Sequence, residues 1–131
     1  MNTVHPASAQ IFPAAMGAEY AFREGCHITE RWNADADVAV SVAQARVAPG
    51  VTTRWHRLVG TVERYLIVSG SGVVEVGELA PQALTAGAAV LIPADTRQRI
   101  RNTGTTDLIF LAVCTPRFRL ECYRDDDASP A

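Results

Sequence analysis

The chain has no apolar run near the ~20 residues that a membrane-spanning helix needs. It has no excess of positive charge either. Twelve basic residues stand against 14 acidic ones, a formal net charge of -2. That removes the field expected of a protein that binds nucleic acid or an anionic membrane. Met1 to Gln10 lacks the basic start and apolar core of a secretory signal, so the cytoplasm is the expected compartment. Cysteine is scarce: Cys26, Cys114 and Cys122, an odd count without a CxxC pair. Such a set fits reduced thiols acting as small apolar residues, not a disulfide framework. No window of helical length carries an i, i+3, i+4, i+7 stripe. At most, Pro13 to Phe22 would form one short helical turn. No internal repeat is present.

What remains is a chain of 131 residues, 48% hydrophobic and 20% charged, enough for one globular domain with its own core. It divides into an N-terminal arm (1–20), a single β domain (21–124) and an acidic tail (125–131). Cys26 to Trp32 reads as a strand, and Asn33 to Asp37 as a turn of residues that bond their own backbone. Val38 to Val47 is β-branched and alternating. Further strands are expected near Thr52–His56, Glu63–Val68, Val73–Val76, Ala88–Ile92, Arg97–Arg101 and Asp107–Cys114, with a last edge strand near Leu120–Tyr123. Around nine short strands separated by Gly and Pro turns predict an all-β sandwich or barrel.

Two stretches carry a spaced pattern. The first reads Gly50, five residues, His56-Arg57-Leu58, four residues, Glu63, six residues, Gly70. The second reads Gly87, five residues, Pro93-Ala94-Asp95, two residues, Gln98, three residues, Asn102. Together they resemble, in every spacing, the two motifs of the cupins, small barrels of the double-stranded β-helix or jelly-roll type. The resemblance implies that fold for the whole domain. It also implies a divalent metal, which typical cupins hold with four side chains. Position by position these fall on His56, Leu58, Glu63 and Gln98. Leu58 cannot coordinate. Gln98 can only through a neutral amide oxygen, a weak ligand for zinc, nickel or copper.

Two readings of the site stay open. In one, His56, Glu63 and Gln98 hold a divalent ion such as iron, manganese, nickel or zinc, with open positions for substrate. In the other the metal is lost, the same three residues form a buried hydrogen-bonded cluster, and Leu58 fills the vacated space. Strand alternation puts Arg54 on the face of His56, where it would bind an anionic ligand group or pair with an acid. Tyr65 shares the face of Glu63 and would either donate to a ligand or pack. Arg97, Arg99 and Arg101 alternate with Gln98, and are expected on the solvated face. His5 and His27 belong to neither pattern.

The expected function is therefore binding of a small polar or anionic organic molecule in the barrel. As the resemblance implies, it would be an enzyme of the dioxygenase, isomerase or lyase type with an atypical His/Glu/Gln site, or else a metal-free ligand-binding or sensor barrel. A homodimer is the expected assembly, through the N-terminal arm and the apolar strand Leu108 to Val113, as the resemblance implies.

Overall fold

The computed structural model describes residues 8–14 and 17–127. His5, the start of the arm and the last four residues lie outside them. Among the described residues eleven strands form two antiparallel sheets, and the fold is the jelly-roll barrel expected from the two motifs. The strands are β1 (Tyr20–Phe22), β2 (Cys26–Trp32), β3 (Ser41–Val47), β4 (His56–Leu58), β5 (Val62–Ser69), β6 (Ser71–Val76), β7 (Gln82–Thr85), β8 (Ala89–Ile92), β9 (Gln98–Asn102), β10 (Leu108–Thr115) and β11 (Tyr123–Asp125). One sheet has the order β1-β2-β3-β10-β5-β8, the other β11-β4-β9-β6-β7.

Alternation does what period-two sequence requires. Along β10 every second residue, from Leu108 to Cys114, is buried. On β9, Gln98, Ile100 and Asn102 point in and Arg101 is exposed. Two of the outward arginines have partners. Arg99 pairs with Glu75 at 3.0 Å across the sheet, and Arg97 and Arg99 both lie over the Trp55 ring. Between the sheets Val47, Val74, Ile92, Ile100, Leu108 and Phe110 make the apolar core. Burying each such side chain contributes about 1.5–3 kcal/mol.

Two turns explain how the sheets close. Gly70 has φ +88°, and a Cβ there would fall 2.6 Å from the Asp107 carbonyl oxygen. Only glycine fits where β5 passes into β6. In the second motif, Asp95 itself adopts φ 63°. Its carboxylate accepts from the Gly60 amide at 3.2 Å, which is how a short polar side chain makes that conformation tolerable.

Three expectations change. Within Pro13–Phe22, Ala14 lies in a 3-10 turn and Ala15 and Met16 are outside the described residues, while Tyr20–Phe22 is a strand that pairs with Cys26–Ile28 as a hairpin. β10 lies inside its sheet, paired on both sides, so it has no free edge for a partner chain. The acidic segment begins inside the last strand. Asp125 bonds Arg54 at 2.9 Å, and the Trp55 amide donates to Asp127 at 2.7 Å. The strand is preceded by a 3-10 turn at Leu120–Cys122.

Candidate active site

One end of the barrel holds its charged interior. A cavity of about 50 Å³ there is lined by Glu24, His56, Leu58, Glu63, Tyr65 and Tyr123, among others. At ~10–15 Å³ per water, that is space for about three to five water-sized groups. Tyr20 and Glu30 also line it. Tyr20 is exposed and bonds Glu30 at 3.1 Å, so this pair marks the mouth.

His56 opens β4 and is 2% exposed. Its Nδ1 lies 2.6 Å from the Arg54 carbonyl oxygen, and its Nε2 lies 2.9 Å from Glu24 Oε2. An acceptor on each side favours the imidazolium. Burial opposes that charge, but Glu24, with help from the Arg54 carbonyl and Glu63, raises the His56 pKa to about 9. For Glu24, burial pushes the carboxyl up. The charge and hydrogen bond of His56 and the Cys26 thiol, at 3.0 Å, outweigh burial and hold it below its ordinary value.

Glu63 is the opposite case. Burial first, and then the Glu24 charge, lift its pKa to about 7, against the opposing pull of His56, Gln98 and Cys114. Gln98 donates from Nε2 to Glu63 Oε1 at 2.6 Å. The other oxygen, Oε2, meets only the Cys114 thiol, at 3.6 Å, a long and weak contact. Two carboxyls in one interior are thus pushed apart: Glu24 is held ionised and Glu63 sits near neutrality. That divergence is a common mark of acid–base sites.

The fold brings together His56, Glu63, Gln98 and Tyr65. Tyr65 is buried against the Phe110 ring, 4.3 Å between centroids. Arg54 is not brought in. Its side chain is 43% exposed and pairs with Asp125. β4 begins only at His56, so the alternation that would turn Arg54 inward does not reach it; what Arg54 gives the site is its carbonyl oxygen. Leu58 packs with Cys114 and Tyr123.

Glu24 escaped the sequence reading. It lies outside both motifs, on the tight β1–β2 turn, where Gly25 takes φ +100°. Its carbonyl oxygen accepts from the Arg54 amide at 2.8 Å, and this backbone bond sets its carboxyl beside His56. The one available signal was chemical: a buried histidine deprived of a metal needs another partner.

The metal implied by the fold family does not fit these residues as they stand. Both His56 nitrogens face acceptors, Leu58 occupies a ligand position, and Gln98 turns its amide nitrogen to Glu63. Among the described residues no group of three or more His, Cys, Asp and Glu is placed to hold a metal ion.

A small β-barrel with a polar cluster at one end defines the class. The chain belongs to the cupin family: the model for the cupin domain matches residues 43–114. No protein of curated function matches it by sequence. Among solved structures it is similar to the nucleoside dehydratase Pac13 of Streptomyces. That match has a TM-score of 0.74 and 17% identity, over 90% of this chain and 91% of the other. It is similar also to KdgF from Halomonas sp., with TM-score 0.74 and 14% identity, over 87% and 98% of the two chains. A predicted oxalate decarboxylase from Thermotoga maritima gives TM-score 0.70 and 23% identity, over 82% and 99%. At these identities the likeness is one of fold. Among the described residues no helix is long and apolar enough to cross a membrane.

Proposed function

We propose that this cupin is a proton-transfer enzyme of the lyase or isomerase type, acting on a small uncharged polar molecule without a metal. The observation that carries the reading is Glu63. It is a buried carboxyl held on one oxygen by Gln98, and it lines a cavity that is also lined by a fixed imidazolium. As carboxylate, Glu63 takes a proton from a carbon next to a carbonyl or similar group. The His56 charge, anchored by Glu24 and the Arg54 carbonyl, stabilises the negative charge that develops on the substrate. Return of the proton to another atom is isomerisation. Departure of a neighbouring hydroxyl, protonated by Glu63 to leave as water, is dehydration.

The charge of the cavity sets the substrate class. Glu24, Glu30 and Glu63 line it, no arginine does, and the chain contains no lysine. Anions are disfavoured, so the earlier expectation of an anionic ligand at Arg54 loses its support. The fold shared with a nucleoside dehydratase agrees with a neutral, hydroxylated substrate.

Deuterium exchange is the test. The protein is incubated in heavy water with EDTA and a panel of neutral hydroxycarbonyl compounds and nucleosides, and mass spectrometry follows label at carbon. We expect exchange or water loss with at least one compound, insensitive to EDTA and reduced at least ~10²-fold in Glu63→Gln. Turnover that appears only on adding a divalent metal would sink the metal-free reading. Silence across the whole panel would sink the enzyme reading.

A homodimer also belongs to this reading. Leu66, Val68 and Leu91 are exposed on β5 and the edge strand β8, an apolar stretch suited to a second copy. Light scattering after size exclusion that gives a monomer mass would dispose of it.

A further inference from the structure

Tyr123 is a buried cavity residue whose hydroxyl has no hydrogen-bond partner. A buried unsatisfied polar group destabilises the fold, so a fold that retains one has a use for it, or a guest that satisfies it. The ring is fixed without help from the hydroxyl. It stacks on His56, 5.4 Å between centroids and 19° from parallel. The Phe22 ring meets it edge-on at 5.1 Å, and the Arg23 guanidinium lies 4.3 Å from its centroid. Its backbone is held too, because β11 pairs with β4 and sets Tyr123 opposite Leu58.

That register matters. Leu58 stands where the first motif has its second histidine. The phenol therefore sits across the strand pair from the place where the pattern has lost a metal ligand. A metal there would polarise a substrate oxygen; a fixed hydroxyl donor can do the same by hydrogen bonding. Burial first, then Glu24 and Asp125, raise the phenol pKa, so it stays protonated and able to donate.

Resting on the proton-transfer reading above, we propose that the Tyr123 hydroxyl is a substrate-binding donor. It hydrogen-bonds the oxygen of the neutral group whose neighbouring carbon Glu63 deprotonates. The substrate class narrows accordingly to uncharged molecules with a carbonyl-type acceptor at the reacting end. The cavity takes that end, and the rest of the molecule lies at the mouth beside Tyr20 and Glu30.

The test uses benzamide, a neutral carbonyl probe, and benzoate, its anion of the same shape. Both are titrated by NMR into the full chain and into Tyr123→Phe. The expected result is that benzamide binds the wild type, benzoate binds more weakly, and Tyr123→Phe weakens benzamide about 10-fold, the worth of one hydrogen bond. The Tm without probe should rise by a few degrees in Tyr123→Phe, since the variant removes a buried hydroxyl that has no partner. Equal benzamide affinity in the two proteins overturns the proposal. So does a lowered Tm in the variant, which would reveal a structural partner, and so does wild type that fails to bind benzamide at its solubility limit. Deuterium exchange separates this from the wider reading. Exchange that persists with no benzamide discrimination removes Tyr123 alone. Discrimination with no exchange leaves Tyr123 as a binding residue and removes the catalysis.

Discussion

The two ends of β9 carry the same functional group in two conditions. Asn102 and Gln98 are both buried amides pointing into the barrel. Asn102 has every part of its amide engaged. Its nitrogen donates to the carbonyls of Val47 and Thr106, each at 2.8 Å, and its oxygen accepts from the Gly104 amide at 2.8 Å. Gln98 donates once, to Glu63, and its oxygen has no partner. One amide ties three backbone segments together. The other supports a single carboxyl beside a cavity. A satisfied buried polar group is architecture, and a half-satisfied one that supports a carboxyl beside a cavity marks a site.

The largest effect should come from breaking the satisfied end. Asn102→Ala strands two carbonyls and an amide in the interior. At about 1 kcal/mol per lost bond, plus the cost of the buried groups left behind, the loss is about 3–5 kcal/mol. Chemical denaturation should show it, along with a fall in Tm of at least roughly 10 °C. If Asn102→Ala proves no worse than Gln98→Ala, the distinction between the two amides fails.

The site end should announce itself through pH. The folded pKa of Glu63 is raised from 4.5 to about 7, so the native state holds its proton longer than the unfolded chain does. Stability is full below pH 4.5 on this account and falls as pH rises through 7. His56 is raised from 6.5 to about 9, so its contribution is full below 6.5 and is lost as pH rises through 9. Glu24 is lowered and acts only in acid, where stability falls as pH drops through its folded pKa. The expected profile is a maximum near pH 5 and a decline of roughly 2 kcal/mol or more by pH 9. Glu63→Gln should flatten the part between 5 and 7 and leave the upper part. A stability curve flat from pH 5 to 9 in the wild type would contradict the assigned charge states.

How far this was legible in sequence follows from what each residue depends on. Gln98 and Asn102 were found, because a fixed spacing within one strand turns both inward. The barrel followed from the same spacing and from the alternation of strands such as Leu108–Thr115. Leu58 was legible as a ligand position lost. Glu24 was not, since its place is set by one backbone bond across 30 positions of chain, between Glu24 and Arg54. Tyr123 could be placed near an edge strand, but not opposite Leu58, because register between distant strands leaves no local mark. Arg54 was misplaced for a related reason: period-two logic holds only inside a regular strand, and β4 is three residues long.

Gln98→Leu tests the half-satisfied end more gently. It removes one donor, but it also removes an oxygen that had no partner, so the two losses partly offset. The expected cost is about 1–2 kcal/mol, with the Glu63 pKa moving further up for want of its hydrogen bond. The acid limb of the exchange-rate profile should move with it. An unmoved limb would mean that Gln98 does not set the proton affinity of Glu63.

Arg54→Ala should do least. Its guanidinium pairs with Asp125 at the surface, where salt screens the charge, and its two links to the site, its carbonyl oxygen to His56 and its amide to the Glu24 carbonyl, are backbone groups that alanine retains. The expected result is an unshifted Tm, unchanged benzamide affinity and an intact exchange rate. Arg54→Pro would be the sharper cut. Proline has no amide hydrogen, so the bond from Arg54 to the Glu24 carbonyl is lost and the acid is freed from His56. Exchange should then fall although no side chain lining the cavity has changed. Full activity in Arg54→Pro would show that Glu24 is placed by something other than that backbone bond.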